Sequence, residues 1–195
     1  MRVRGKKLLD FLAIERNMTG LLLMVILVGL GEKLAERFLP IYLIALGGGA
    51  LSIGILNGLD NLLSALYSYP GGYLADRLGT KKSLLVFNLL AMFGFLVVVL
   101  IPSQLAVIGA SFFFLSWTAI SLPATMKLIA QALPMNRRTM GVSLHSLVRR
   151  IPMALGPVMG GVMIGLWGEK TGVRVAFAIA FILAGVALAA QQILI

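Results

Sequence analysis

The residues with most scope for chemistry in this sequence are charges set inside apolar runs. Glu32, Lys33, Glu36 and Arg37 stand midway along the hydrophobic stretch 18–46. A charge at the centre of a bilayer costs roughly 2.5–3.5 kcal/mol on insertion scales, so such residues face a wet cavity or a partner. Glu32 and Glu36, at i and i+4, share a helix face, and two carboxylates held close titrate as a pair. That is the chemistry of loading and releasing a proton. Lys33 and Arg37 form a second stripe about 100° around the helix, able to neutralise the acids or hold an anion. Asn57, Asp60 and Ser64 make another polar stripe in the next run, beside Asn61. Arg149 and Arg150 lie about 15 Å into the fifth run, where one of them can pair with Glu32, Glu36 or Asp60. The alternative for all these charges is a buried interhelical ion-pair network. A pair that breaks on protonation does both jobs.

The elements that carry these residues follow from length and hydropathy. A helix needs about 20 apolar residues to cross a bilayer core. Six stretches qualify: 18–46, 51–75, 83–101, 105–133, 139–167 and 173–195. None alternates with period two, and in lipid only helices or closed barrels satisfy every backbone polar group. The expectation is an all-α integral membrane protein with six transmembrane helices over 18–195, preceded by a basic segment, 1–17. Hydrophobic residues make up 59% and charged residues 12% of the 195. An ordinary soluble domain has about 45–50% and 25%, so a soluble or disordered chain is excluded.

The formal charge of +10 would suggest nucleic acid in a soluble protein, but topology accounts for most of it. Arg2, Arg4, Lys6, Lys7, Arg16, Arg77, Lys81, Lys82, Lys127, Arg137 and Arg138 fall on one side of the six runs. Lys170 and Arg174 fall on the other. The positive-inside rule then places the N-terminus, and with six spans the C-terminus, in the cytoplasm of a cell (inner) membrane protein. No cleavable signal is expected. With no Cys and one His, there is neither a disulfide framework nor a metal or catalytic cluster to name. Gly47-Gly48-Gly49 is a turn without the context of a phosphate loop. No cofactor, metal, nucleotide or nucleic acid is expected, and the chain does not read as an enzyme. His145 reads as a hydrogen-bonding or interfacial residue, and Trp117, Tyr42, Tyr67 and Tyr69 as packing residues or interfacial anchors.

After the second run the chain reads Gly72-Tyr73-Leu74-Ala75-Asp76-Arg77-Leu78-Gly79-Thr80-Lys81-Lys82-Ser83-Leu84. From charge alone this is a solvated basic loop. Its ordered glycines and acid, however, resemble the major facilitator superfamily signature G-x-L-A-D-R-x-G-R-K-x-x-L, with Thr80 in place of one Arg. Gly156-Pro157-Val158-Met159-Gly160-Gly161 is similar to the G-P-x-x-G-G core of the same family's antiporter motif, though Pro152 stands where the longer motif usually has Gly. The family's fourth-span Arg motif has no counterpart, since 116–121 contains no cation.

The resemblance implies one six-helix bundle made of two three-helix inverted repeats, the N-terminal half of a twelve-helix transporter. It also implies that Asp76 latches a cytoplasmic gate, together with Gly72, Arg77, Gly79 and Lys81, against another six-helix half. Gly156, Pro157, Gly160 and Gly161 imply antiport. The expected function is secondary transport of a small organic solute by alternating access, as proton-coupled efflux. Uptake or exchange of an anionic metabolite is the alternative within the family. A non-transporting half-bundle acting as an assembly subunit is the alternative of another class. The expected partners are the solute, protons, the lipid bilayer and a second six-helix half, supplied by another copy or by a separate chain.

Overall fold

The computed structural model describes residues 16–115 and 117–194, which are helical almost throughout, with no strand among them. The basic residues Arg2 to Lys7 lie outside the described residues. The helices are α1 (Arg16–Glu36), α2 (Leu39–Ala45), α3 (Ala50–Leu66), α4 (Ser68–Arg77), α5 (Thr80–Leu100), α6 (Gln104–Phe114), α7 (Trp117–Ala132), α8 (Arg138–Val148) and α9 (Arg150–Leu194). Three stretches are long and apolar enough to cross a membrane: Thr80–Leu100, Gln104–Ala132 and Met135–Ile193.

Several boundaries follow from one piece of backbone chemistry. Proline lacks the N–H that would bond the carbonyl four residues earlier, and its ring crowds that carbonyl. Helix α1 ends at Glu36, α3 at Leu66 and α8 at Val148, each four residues before Pro40, Pro70 or Pro152. Apolar runs that read as continuous in the sequence are therefore broken, and the first break falls beside the Glu32–Arg37 charges. The fourth run is interrupted too, where Leu115 turns extended (φ −60°, ψ 139°). By contrast, α5 is unbroken.

Glycines set the remaining geometry. Gly168 interrupts α9 at φ 76° and ψ 171°, a region reached essentially by glycine alone. A methyl added at Gly172 would stand 2.6 Å from the Met163 carbonyl oxygen and 2.7 Å from Ile164 Cα. Eight residues apart on one helix would be about 12 Å, so α9 is a hairpin whose arms, 150–167 and 169–194, fold back on each other. Helix α1 lies against both arms. A methyl at Gly31 would come within 3.1 Å of Ala180 Cα, and one at Gly29 within 3.0 Å of the Pro152 ring. Phe95, Phe114 and Phe177, with ring centroids 5.1–5.9 Å apart, join α5, α6 and the second arm of α9 in the apolar core.

Candidate functional site

The last turn of α1 assembles the charge cluster. Lys33 Nζ lies 3.2 Å from Glu32 Oε1 and 2.5 Å from Glu36 Oε2, bridging both carboxylates. Glu32 is 3% exposed, and Thr118 Oγ1 on α7 donates to its Oε2 at 3.3 Å. Fully ionised, the triad carries one negative charge in excess. The partner of the acids is thus their sequence neighbour, and neither of the arginines expected from the fifth run takes that place.

Two adjoining cavities, of about 380 and 320 Å³, surround the triad. Lys33, Glu36 and Asp60 line both. Arg37 and Asn57 complete the polar wall of the larger, while Glu32, Ser64, Thr118 and Arg149 line the smaller. The stripe Asn57–Asp60–Ser64 on α3 therefore faces the triad, with Arg149 on the same wall as the acids. Asn61 is exposed, and its amide donates to the Asn57 carbonyl at 2.9 Å, back onto its own helix. Arg150 is also exposed and lines neither cavity. Among the described residues there is no group of acids and histidines able to hold a metal ion.

The glycine-rich run of α9 shows why its spacing matters. Methyls at Gly156 and Gly160 would collide with the backbone of Lys33 and Leu34, and the second also with the Phe38 ring. These two glycines therefore seat the charged turn of α1 directly against α9. Gly161 has only a Phe38 ring atom at 3.9 Å, and Pro157 is half-buried in the helix between them. Gly54 and Gly58, at the same spacing on α3, meet nothing within 4 Å.

The signature loop is tied down within the chain. Asp76 Oδ1 pairs with Lys127 Nζ at 2.8 Å, and the same ammonium donates to the Ala75 carbonyl at 3.1 Å. Arg77 stacks over the Tyr73 ring at 5.0 Å. Gly79 turns the chain at φ 80°, and Ser83 Oγ bonds the carbonyls of Leu74 and Gly79, both at 2.8 Å. Lys81 Nζ donates to the Gln192 carbonyl at 3.2 Å, while Gln191 Nε2 donates to the Lys81 carbonyl at 2.8 Å. Close approach belongs to Gly71 and not to the signature's own Gly72. A methyl at Gly71 would overlap the Ile120 carbonyl, whereas one at Gly72 finds only Pro123 Cβ at 3.9 Å.

Sequence reasoning missed Lys127 as the partner of Asp76 and Thr118 as a donor to Glu32. A lone Lys within an otherwise apolar helix was the available signal for the first. Nothing local marked the second, because a hydroxyl in a helix satisfies itself on the preceding turn as readily as it reaches a neighbour. His145 is 4% exposed, packed inside the protein.

An ion-paired triad, polar cavities around it and a glycine-seated helix beside it describe a membrane protein with a polar interior. The family model of the Major Facilitator Superfamily matches residues 21–194. No curated protein matches the chain. The family match spans all the helices that build the cavities and both glycine-rich motifs, and the chain belongs to the Major Facilitator Superfamily, a family of multi-pass membrane transporters.

Proposed function

We propose that this chain moves a small organic solute by alternating access and that the Glu32–Lys33–Glu36 triad couples the movement to protons. One observation carries the reading: a single cation sits between two carboxylates, one of them buried, on the wall of two polar cavities. One proton neutralises the triad's excess charge and leaves one ion pair, and a state-dependent gain of that size biases a conformational equilibrium. Asp60 and Asn57 face the triad across the larger cavity, where the solute would sit. Efflux by antiport rests on the likeness of Gly156, Pro157, Gly160 and Gly161 to the antiporter motif.

The architecture proposed is six spans in a cell (inner) membrane, with both termini cytoplasmic, built as two inverted three-helix repeats. The interruptions support it. The first, second, fourth and fifth apolar runs are broken near Phe38, Tyr67, Leu115 and Arg149, while the third is continuous and the sixth follows the Gly168 turn unbroken. Interrupted helices at corresponding positions of two repeats mark the binding region of such carriers. Gate opening would exchange the Asp76–Lys127 pair, with Gly72, Arg77, Gly79 and Lys81 in the moving loop, against a second six-helix half. That half would be another copy or a separate chain.

A second reading within the family, exchange of an anionic metabolite, is favoured by Arg149, which lines two cavities and makes no ion pair among the described residues, and by Arg37 on the larger one. Arg150 drops out of that set because it lines none. A non-transporting assembly subunit is the remaining reading.

Proteoliposomes test these readings with a panel of labelled organic cations, anions and neutral solutes. An imposed pH gradient is expected to drive flux of one class, and Glu32→Gln, Glu36→Gln or Asp60→Asn to uncouple it. Coupling intact in all three variants would overturn the proton role. Anion-only competition that is lost in Arg149→Ala would favour the second reading. No flux of any solute, with the protein stably bound to another chain, would favour the subunit.

A further inference from the structure

Between α1, α7 and the α8–α9 junction lies a smaller pocket that shares Glu32, Lys33, Thr118 and Arg149 with the smaller of the two cavities. Its volume is about 20 Å³. A buried water also needs two to four polar partners. The walls bring together Glu32, Trp117, Thr118, His145 and Arg149. Trp117 is 6% exposed, and its indole N–H is buried with no acceptor among the described residues. An unpaired buried donor is costly, whereas a water beside it accepts that bond and still has two protons to give. The pocket has room for water and is far smaller than the two cavities of about 380 and 320 Å³.

We propose that this pocket binds a single water that relays protons between the imidazole of His145 and the carboxylate of Glu32. The inference rests on the proton-coupling reading and supplies its path. Helix α7 brings Lys127 to Asp76 and is followed by the short connection into α8, so α8 starts at the same end of the molecule as the signature loop. His145 lies seven residues into α8, about 10 Å from its start, one station between that end and the triad. In the transfer, an imidazolium N–H bond of His145 breaks and its proton joins the water. The water gives one of its own protons to a Glu32 oxygen. His145 ends neutral, Glu32 ends as a carboxylic acid, and the water is regenerated.

The charged groups around the pocket suit a relay and not a store. Arg149, one helical turn from His145, repels the imidazolium and keeps it transient. Lys33 holds Glu32 from α1, and after transfer keeps its pair with Glu36. From α7 the pocket receives only the uncharged Trp117, Thr118, Ser121, Leu122 and Thr125.

The test is a rapid pH drop on the full chain in phosphatidylcholine nanodiscs, followed by time-resolved infrared spectroscopy of the carboxylic C=O stretch. The Glu32 band is assigned by its loss in Glu32→Gln. His145→Gln is expected to slow the rise of that band tenfold or more with its final amplitude unchanged. Trp117→Phe, which removes only the N–H, is expected to slow it several-fold. Either folded variant decides the matter: rise times within twofold of the parent protein would overturn the relay while leaving proton coupling in place. Absence of any Glu32 band in the parent protein down to the acid limit of stability would overturn both.

Discussion

Lys33 serves two carboxylates at once, so its removal says more than the loss of either acid. Breaking a buried ion pair by deleting one partner costs about 3–5 kcal/mol, and the partial exposure of Lys33 and Glu36, 21% and 16%, discounts that figure. Lys33→Met leaves Glu32 and Glu36 facing each other without a counter-charge. The expected result is a melting temperature several degrees below the parent at neutral pH, with the gap closing as pH falls. The sign follows from the charges: protonating either acid removes the repulsion that the substitution unmasks, so the variant takes up protons more readily on staying folded than the parent does. A gap that is constant or widens toward acid pH, measured by thermal melts in detergent, would contradict the assignment of charge to the triad. The charged turn itself was legible in the sequence, as was the shared face of Glu32 and Glu36. Lys33 was legible too, as a cation on the same helix able to neutralise the acids; what spacing left open was whether an arginine of the fifth run would take that place, because Arg149 had to be placed by folding.

At the scale of elements, two glycine pairs separate packing from mere composition. Gly160→Ala would push its methyl into the Leu34 carbonyl and the Phe38 ring, whereas Gly161→Ala meets only a ring atom at 3.9 Å. Overpacking typically costs about 1–3 kcal/mol, or several degrees in melting temperature for a chain of this size. The first variant is expected to lose that much and the second to melt within a degree or two of the parent. In the signature run the same contrast holds for Gly71→Ala against Gly72→Ala. Folded yield and melting temperature measure both pairs, and equal loss within a pair would refute the close approach assigned to it. Gly71 was invisible in the sequence because its importance comes from the Ile120 carbonyl on α7, a contact between runs far apart in the chain. The breaks after Glu36, Leu66 and Val148 could have been read, since Pro40, Pro70 and Pro152 stand four residues downstream of each. Hydropathy hides them, because proline hardly interrupts an apolar average.

For the whole molecule, the polar cavity wall decides what must surround it. Asn57 and Asn61 are exposed on α3, and Asp60 and Ser64 line cavities beside them. A polar face against lipid is costly. The account therefore predicts that the chain pairs, either with a second copy about a two-fold axis along the membrane normal or with another six-helix chain. Native mass spectrometry reads the answer from the 20.9 kDa mass. A 41.8 kDa dimer, twice that mass, or a one-to-one complex is expected, and a stable monomer at all lipid concentrations would contradict the pairing.

The most direct test of proton coupling reverses the direction of drive. Coupling between two bound species is reciprocal, so a solute gradient must move protons if a proton gradient moves solute. Proteoliposomes carrying the protein in its paired form, with a pH-sensitive dye trapped in the lumen, are given a gradient of the solute that moves and no pH gradient. The account predicts a change of lumen pH that is abolished in Glu32→Gln while solute binding persists. Solute crossing the membrane with the lumen pH unchanged would contradict the coupling role of the triad.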